Sequence, residues 1–380
     1  MTARNLVASV DAAVPRWCDY LGFEPPPPGG FVVDAWVLRD MAGARERGEV
    51  PRDLPPFGYG FARGQNVFVK SQPSDYYTRH LLIHEVFHAW SLTRFGGVGP
   101  AWFAEGWADR IATHRGDGFD LTPAWTPDAP ESVPLWGRIT RAAERYRVGR
   151  MPGVVGVLEL PPTVGGDIDT YAAAWAMVTM LDSATETRRA LIEAFDAVGD
   201  PVLRFNRRFL AAASEVTALE ARWALWLDTL AYGIDPRRMV ATPSTDDPVW
   251  DGGPADVVVP ADRGWMTVGH RFAGGTRLRL TASGRATVRP AGDARRAWES
   301  EPWGLSIDFA GGRPVGRLLA AVVDGRGGPT VTPVEPIDVS DAATVVVPRD
   351  GWLALRVNDH PGGLRENTGE YRVRIEAAEG

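Results

Sequence analysis

The strongest constraint on the fold lies between Leu82 and Arg94, where His84-Glu85-Val86-Phe87-His88 places two histidines four positions apart with a glutamate beside the first. On an α-helix, residues four apart share one face at about 6 Å. Two neutral imidazoles so placed can bind one Zn2+ at about 2.0 to 2.1 Å each. Glu85 is then angled toward an activated water rather than the metal. The flanks read as one amphipathic helix: Ser74 can cap its start, Leu81, Leu82, Val86, Phe87 and Trp90 supply apolar faces, and Gly96-Gly97 ends it. A second helix follows, with Pro100 suited to its first turn and Gly116 to its C-terminal end. On it Glu105 and Asp109 share a face at i, i+4. Glu105 can serve as a third zinc ligand while Asp109 holds the far nitrogen of a ligand histidine.

Taken together, the histidine pentapeptide and Trp102-Phe103-Ala104-Glu105-Gly106-Trp107-Ala108 resemble the gluzincin metallopeptidases, and within them the peptidase-MA-like proteins whose second motif runs W-[FL]-x-E-G-x-A. The resemblance implies an α+β zincin-like catalytic domain, with a small N-terminal sheet, the HExxH helix and a helical C-terminal half. It also implies His84, His88 and Glu105 as Zn2+ ligands, Glu85 as general base and Asp109 as the partner of His84. His80, one turn before His84, has no ligand role in that pattern and reads as a supporting group, and His114 has no partner in view. A helix that begins with tyrosine follows the glutamate motif in the family, so the likeness extends over residues 1 to 235, taking in Tyr171. Tyr171 is either a hydroxyl that donates to the developing oxyanion or a plain core aromatic.

Net charge is −7, and of the 41 basic residues only Lys70 is a lysine. The arginines are scattered among acids, which argues against a nucleic-acid partner. Cys18 is the single cysteine, so no intrachain disulfide and no cysteine metal cluster are expected. Asn5, Asp11 and Asp19 interrupt the N-terminal stretch, and no apolar run reaches the length of about 18 residues that a membrane span needs. The expectation is a cytoplasmic protein for the sequence as it stands, and a secreted one if a leader precedes it.

In chain order, a helix is expected over 4–21, a strand over 31–38, a short helix over 41–48 and a strand or hairpin over 59–70. In the resembled family an edge strand beside the metal helix pairs with extended substrate. Asn66 to Lys70 is the stretch matched to it, with an ordinary internal strand as the alternative. Loops are expected over 117–133 and 147–168, the latter containing Pro161-Pro162 and Gly165-Gly166, and helices over 134–146, 171–181, 188–198, 201–212 and 215–230. This gives a domain over 1–240, a linker over 241–256 and a second domain over 257–380, where the period changes to two. Arg277 to Thr281, Thr344 to Val347, Trp352 to Val357 and Tyr371 to Ile375 predict an antiparallel β-sandwich.

The end of that domain, from Leu353 to Ile375, resembles the bacterial galactophilic lectins with a calcium-bridged sugar site. The likeness implies side-chain oxygens from Asp359, Glu366 and Asn367 and backbone carbonyls from Val288 and Gly363 around Ca2+, a hard cation suited to oxygen donors. Glu366 stands where those lectins carry an amide. A turn with a structural role only is the alternative. Three functions follow: zinc-dependent hydrolysis of peptide bonds in a peptide or protein substrate, the second domain aiding substrate or glycan targeting; a carbohydrate-binding or adhesion protein with a vestigial zinc site; or zinc that only ties three helices together.

Overall fold

Thr2 and Ser74 start the two helices that frame the first part of the chain, each side-chain oxygen accepting from the backbone N–H three residues on, at Asn5 and Tyr77. Gly22 and Gly96 end them in the left-handed region, at φ 78° and 77°, where a side chain would be strained. The computed structural model describes residues 1–161, 167–289 and 297–378. Its helices are α1 (Ala3–Leu21), α2 (Met41–Glu46), α3 (Asp75–Phe95), α4 (Ala101–Ala112), α5 (Arg138–Arg147), α6 (Val154–Leu158), α7 (Ile168–Asp182), α8 (Thr185–Glu193), α9 (Val202–Ala213) and α10 (Val216–Asp228). The expected loop over 147–168 thus contains α6, while Pro162, Gly165 and Gly166 lie outside the described residues. The chain divides into two compact units, Met1–Arg141 with Val157–Ala213, and Ala142–Gly156 with Ser214–Gly380.

In the first unit a three-stranded sheet runs in the order β1-β3-β2, from β1 (Asp34–Leu38), β2 (Gly60–Arg63) and β3 (Asn66–Lys70). β1 is parallel to β3 and β2 antiparallel to it, the two-residue turn between them carrying Gly64 at φ 61°. Asn66–Lys70 is therefore the central strand and offers no free edge, which corrects its assignment as the substrate-pairing edge. The reason is legible afterwards: Val67, Phe68 and Val69 are consecutive and all buried, as in a strand covered on both faces. The free edges belong to β1 and β2. Beside the sheet, α3 packs Phe87 and Trp90 against Trp17 of α1, with ring centroids 5.6 and 6.0 Å apart. Cys18 is buried among these apolar side chains, and burial pushes its thiol up to about 11, in keeping with an inert role.

Helices α4 and α7 approach closely because Gly106 has no side chain. A Cβ there would stand 2.6 Å from the carbonyl oxygen of Ala174 and would overlap Val178. This contact brings the first turn of α7, which carries Tyr171, alongside the turn of α4 that carries Glu105.

The second unit holds two antiparallel sheets. One contains β4 (Ala255–Pro260), β6 (Arg277–Arg289), β7 (Trp298–Ser300), β11 (Ala342–Val346) and β13 (Thr368–Ala377); the other contains β5 (Met266–Phe272), β8 (Trp303–Ala310), β9 (Arg313–Val323), β10 (Ile337–Asp338) and β12 (Gly351–Val357). Leu278, Leu280, Tyr371, Val373 and Ile375 from the first sheet meet Phe272, Leu318, Ala320, Leu353 and Leu355 from the second in one apolar core. The sandwich anticipated from period-two patterning is present.

Its boundary is not where the composition drew it. Helix α10 lays Ala221 and Leu225 on the outer face of the second sheet, against Leu319, Ala321 and Val323 of β9 and Trp352 and Ala354 of β12. Residues 215–230 thus belong to the second unit, with the sandwich. The expected linker is built in as well: Trp352 Nε1 donates to Asp247 Oδ2 at 3.0 Å, Ala241 is buried, and β4 begins at Ala255. Covered on both faces, β12 reads as a continuous apolar run instead of an alternating one.

Ala221→Asp with Leu225→Asp in the full chain puts charge on the α10 face that meets β9 and β12, and the second unit will therefore melt earlier or the chain will aggregate. Thermal denaturation with size-exclusion chromatography of this variant and the wild type checks it, and equal behaviour would show that α10 is not integral.

Candidate metal centre

Helical spacing on α3 stacks His84 and His88, and the neighbouring α4 presents Glu105 to both. His84 Nε2 lies 3.0 Å from Glu105 Oε2 and 3.1 Å from His88 Nε2, and His88 Nε2 lies 3.5 Å from the same Glu105 oxygen. Three donor atoms on bonds of 2.0 to 2.1 Å at tetrahedral angles stand about 3.3 to 3.4 Å apart. The observed triangle fits that spacing, and its donors, two imidazoles and a carboxylate, are those zinc takes. Burial opposes charge on His84, but the carboxylates of Asp109 and Glu105 outweigh it and raise the imidazole to about 10. Burial likewise opposes ionisation of Glu105, and His88 and His84 overcome it, holding the carboxyl down at about 2.

Glu85 lies against the sheet, where a Cβ on Gly60 would come 2.5 Å from its Oε1. The lack of a side chain at Gly60 gives that carboxylate its space. Burial raises its pKa above the usual glutamate range, while His84 and His88 pull it back. Tyr171, in the first turn of α7, sets its ring edge-on to His84 at 6.1 Å. Its hydroxyl is pushed up by burial first and then by the charges of Glu105 and Glu85, which places it in the field of the same site.

Asp109 lies beneath the histidines with no exposure, and two of its partners went unassigned in the sequence. Its Oδ1 accepts from His80 Nε2 at 2.8 Å, whereas His84 Nδ1 is 3.5 Å away, a looser contact than the expected pairing. Its Oδ2 accepts from Arg138 Nε at 2.7 Å. Asp109 is held well below the usual carboxylate range despite its burial, chiefly by Arg138 and then by His80 and His84. The Arg138 guanidinium also lies 5.2 Å from the centre of the Tyr171 ring, a cation–π distance. His80 shares the i, i+4 register of His84 and His88, so spacing alone could have found it; Arg138 carries no such signal. His114 has partners too: its Nε2 accepts from Arg79 Nε at 2.9 Å, its Nδ1 lies 2.7 Å from the Ala112 carbonyl oxygen, and its ring stacks on Tyr76.

In the second unit the turn after β12 gathers Asp359, Gly363 and Asn367 near the Val288 carbonyl, with the guanidinium of Arg289 among them. Glu366 is turned outward, its side chain 59% exposed and nearest to Arg365. Among the described residues no helix is long and apolar enough to cross a membrane.

Arg138→Met leaves Asp109 buried without its cation, a loss on the order of 3–5 kcal/mol. Denaturant unfolding of the metal-free protein will show it. Adding Asp109→Asn to the same chain will recover part of that stability, because the uncompensated charge is then gone.

No protein-family model matches the chain, and no curated protein matches it. Among solved structures, a chain described as "EclA N-terminal domain; PllA-like lectin" is similar, at 21% identity and a TM-score of 0.24, over 35% of this chain and 100% of that chain. A likeness at that score assigns nothing to the residues above.

Proposed function

We propose that the first unit is a gluzincin-type zinc peptidase that hydrolyses peptide bonds, with His84, His88 and Glu105 as the ligands. The observation that supports this best is the donor set itself. Two groups of three converge among the described residues and share His84: the fully buried His80, His84 and Asp109, and the more open His84, His88 and Glu105, which has Glu85 beside it and is the one a substrate could reach. A zinc site that serves only the fold closes with four protein ligands, whereas three leave room for chemistry.

Zinc supplies Lewis acidity, lowering the pKa of a water toward about 7 and polarising a carbonyl. Glu85 takes the proton from the attacking water and later delivers it to the leaving amine, a role its burial favours by raising its basicity. Asp109 keeps a carboxylate behind His84, which fixes the tautomer that leaves Nε2 free to ligate. Tyr171 donates its hydroxyl proton in a hydrogen bond to the oxyanion, and Arg138 under the ring holds it in position. The extended-substrate role passes from Asn66–Lys70 to β2, the free edge whose Gly60 lies against Glu85.

Glu85→Gln keeps the size and hydrogen bonding of the side chain but removes the base. Zinc stoichiometry will be retained while turnover on a peptide library falls by roughly 10² to 10⁴. Tyr171→Phe will lower turnover by about 10² to 10³ at unchanged zinc content, the loss typical of one oxyanion donor. Wild type that binds zinc yet cleaves nothing in a broad library would leave the site vestigial or purely structural.

One observation favours a second role, glycan or substrate targeting, in the second unit. Strand β8 leaves Trp303, Ile307 and Phe309 exposed, and Asp308 on the same strand pairs with His360, so the strand offers aromatic and polar groups of the kinds that suit a sugar ring. Glycan-array binding by the full chain, with Trp303→Ala as the control, tests it. Binding that survives zinc removal separates this role from the peptidase.

A further inference from the structure

Asp359 would be the anchoring oxygen donor of a cation at the turn after β12, yet its lone pairs are already in use. The side chain is wholly buried. Oδ1 accepts from the His360 backbone N–H at 2.7 Å and from Arg289 Nη1 at 3.2 Å; Oδ2 accepts from Asn367 Nδ2 at 2.9 Å and from the same Arg289 nitrogen at 3.2 Å. Asn367 Nδ2 also donates to the Ala261 carbonyl at 3.2 Å. With two acceptors fixing its amide, Asn367 presents nitrogen to the carboxylate and leaves its Oδ1 buried without a hydrogen-bond partner, one oxygen against the six to eight that calcium needs.

Arg289 completes the pattern. Its Nη1 donates to the Val288 carbonyl at 2.7 Å, and its Nη2 to Asp308 Oδ2 at 2.9 Å. Gly363 lies against this guanidinium, where a Cβ would stand in ordinary van der Waals contact, 3.5 Å from Nη1. Of the five oxygen sources matched to calcium, the Val288 carbonyl and the Asp359 carboxylate are bonded to this one arginine, Gly363 packs beside it, Asn367 offers its donors, and Glu366 faces solvent.

We infer that Arg289 is a built-in cation, its guanidinium doing among these oxygens what calcium would otherwise do, so that the second unit is assembled without calcium. A guanidinium stays protonated at any physiological pH and carries five donors in a fixed fork, which suits it to bridge a carbonyl and two carboxylates. Calcium needs six to eight oxygen ligands, and the side chains here do not supply them while Arg289 is in place. Carried on the adjacent strand end, this cation cannot be diluted or chelated away.

Thermal unfolding of the full chain in millimolar calcium and in EGTA tests this. Wild type will melt at the same temperature in both. Arg289→Gly will lower the melting temperature of the second unit in EGTA by roughly 6 °C or more, and calcium will restore part of the loss, the vacated oxygens now accepting the ion. Arg289→Lys, which keeps a charge but not the fork, will fall between and show a smaller calcium response. A calcium-dependent rise in wild type would overturn the inference, as would an Arg289→Gly chain as stable as wild type in EGTA. Should Arg289→Gly fail to fold in EGTA, refolding with and without calcium decides: rescue by calcium supports the built-in cation, and equal failure in both overturns it.

Discussion

The buried ion pair between Asp109 and Arg138 is the interaction on which the first unit's polar interior depends. One carboxylate, with no exposure, answers a guanidinium chiefly through Oδ2 and two imidazoles through Oδ1. Such a pair contributes little to stability compared with apolar residues of the same volume, because desolvating both charges offsets their attraction. What it contributes is position. It places a carboxylate 3.5 Å from the far nitrogen of His84, gives His80 a partner, and sets a cation under Tyr171, so that groups from α3, α4, α5 and α7 come together.

Much of this site was legible in the sequence, and the limit falls at a physical boundary. His84, His88, Glu105 and Asp109 announce themselves because helical spacing converts sequence distance into a shared face. Arg138 does not, since its pairing with Asp109 crosses a long irregular segment and arginine is common throughout this chain. Asp109 was assigned to His84 alone; its shorter bond goes to His80, because two imidazoles on consecutive turns compete for one oxygen. Asn66–Lys70 was recognisable as a strand, but its neighbours were not, as a run of buried apolar residues looks the same in the middle of a sheet and against a helix.

The same limit governs the second unit. Alternation gave the strands that face water on one side, and the continuous run at Trp352–Leu355 recorded that β12 is covered on both. The identity of the cover, α10, was hidden because an amphipathic helix does not say which apolar face it will meet. At the turn after β12 the oxygens resemble a calcium pattern, save that Glu366 stands at an amide position. The side chain that bonds two of them belongs to Arg289, on another strand, where only three-dimensional structure brings it near Asp359.

The absent side chain at Gly106 carries a mechanical consequence. With the backbones of α4 and α7 in direct contact there, neither helix can slide along the other without collision at Ala174 and Val178. Glu105 is the residue immediately before this contact and Tyr171 lies one turn before Ala174, so the backbone positions from which the carboxylate and the hydroxyl reach out are set by main chain. The pair thereby gains a rigid gauge. Any change in the gap between these two groups must come from their own side-chain torsions, because the helices that carry them are not free to slide.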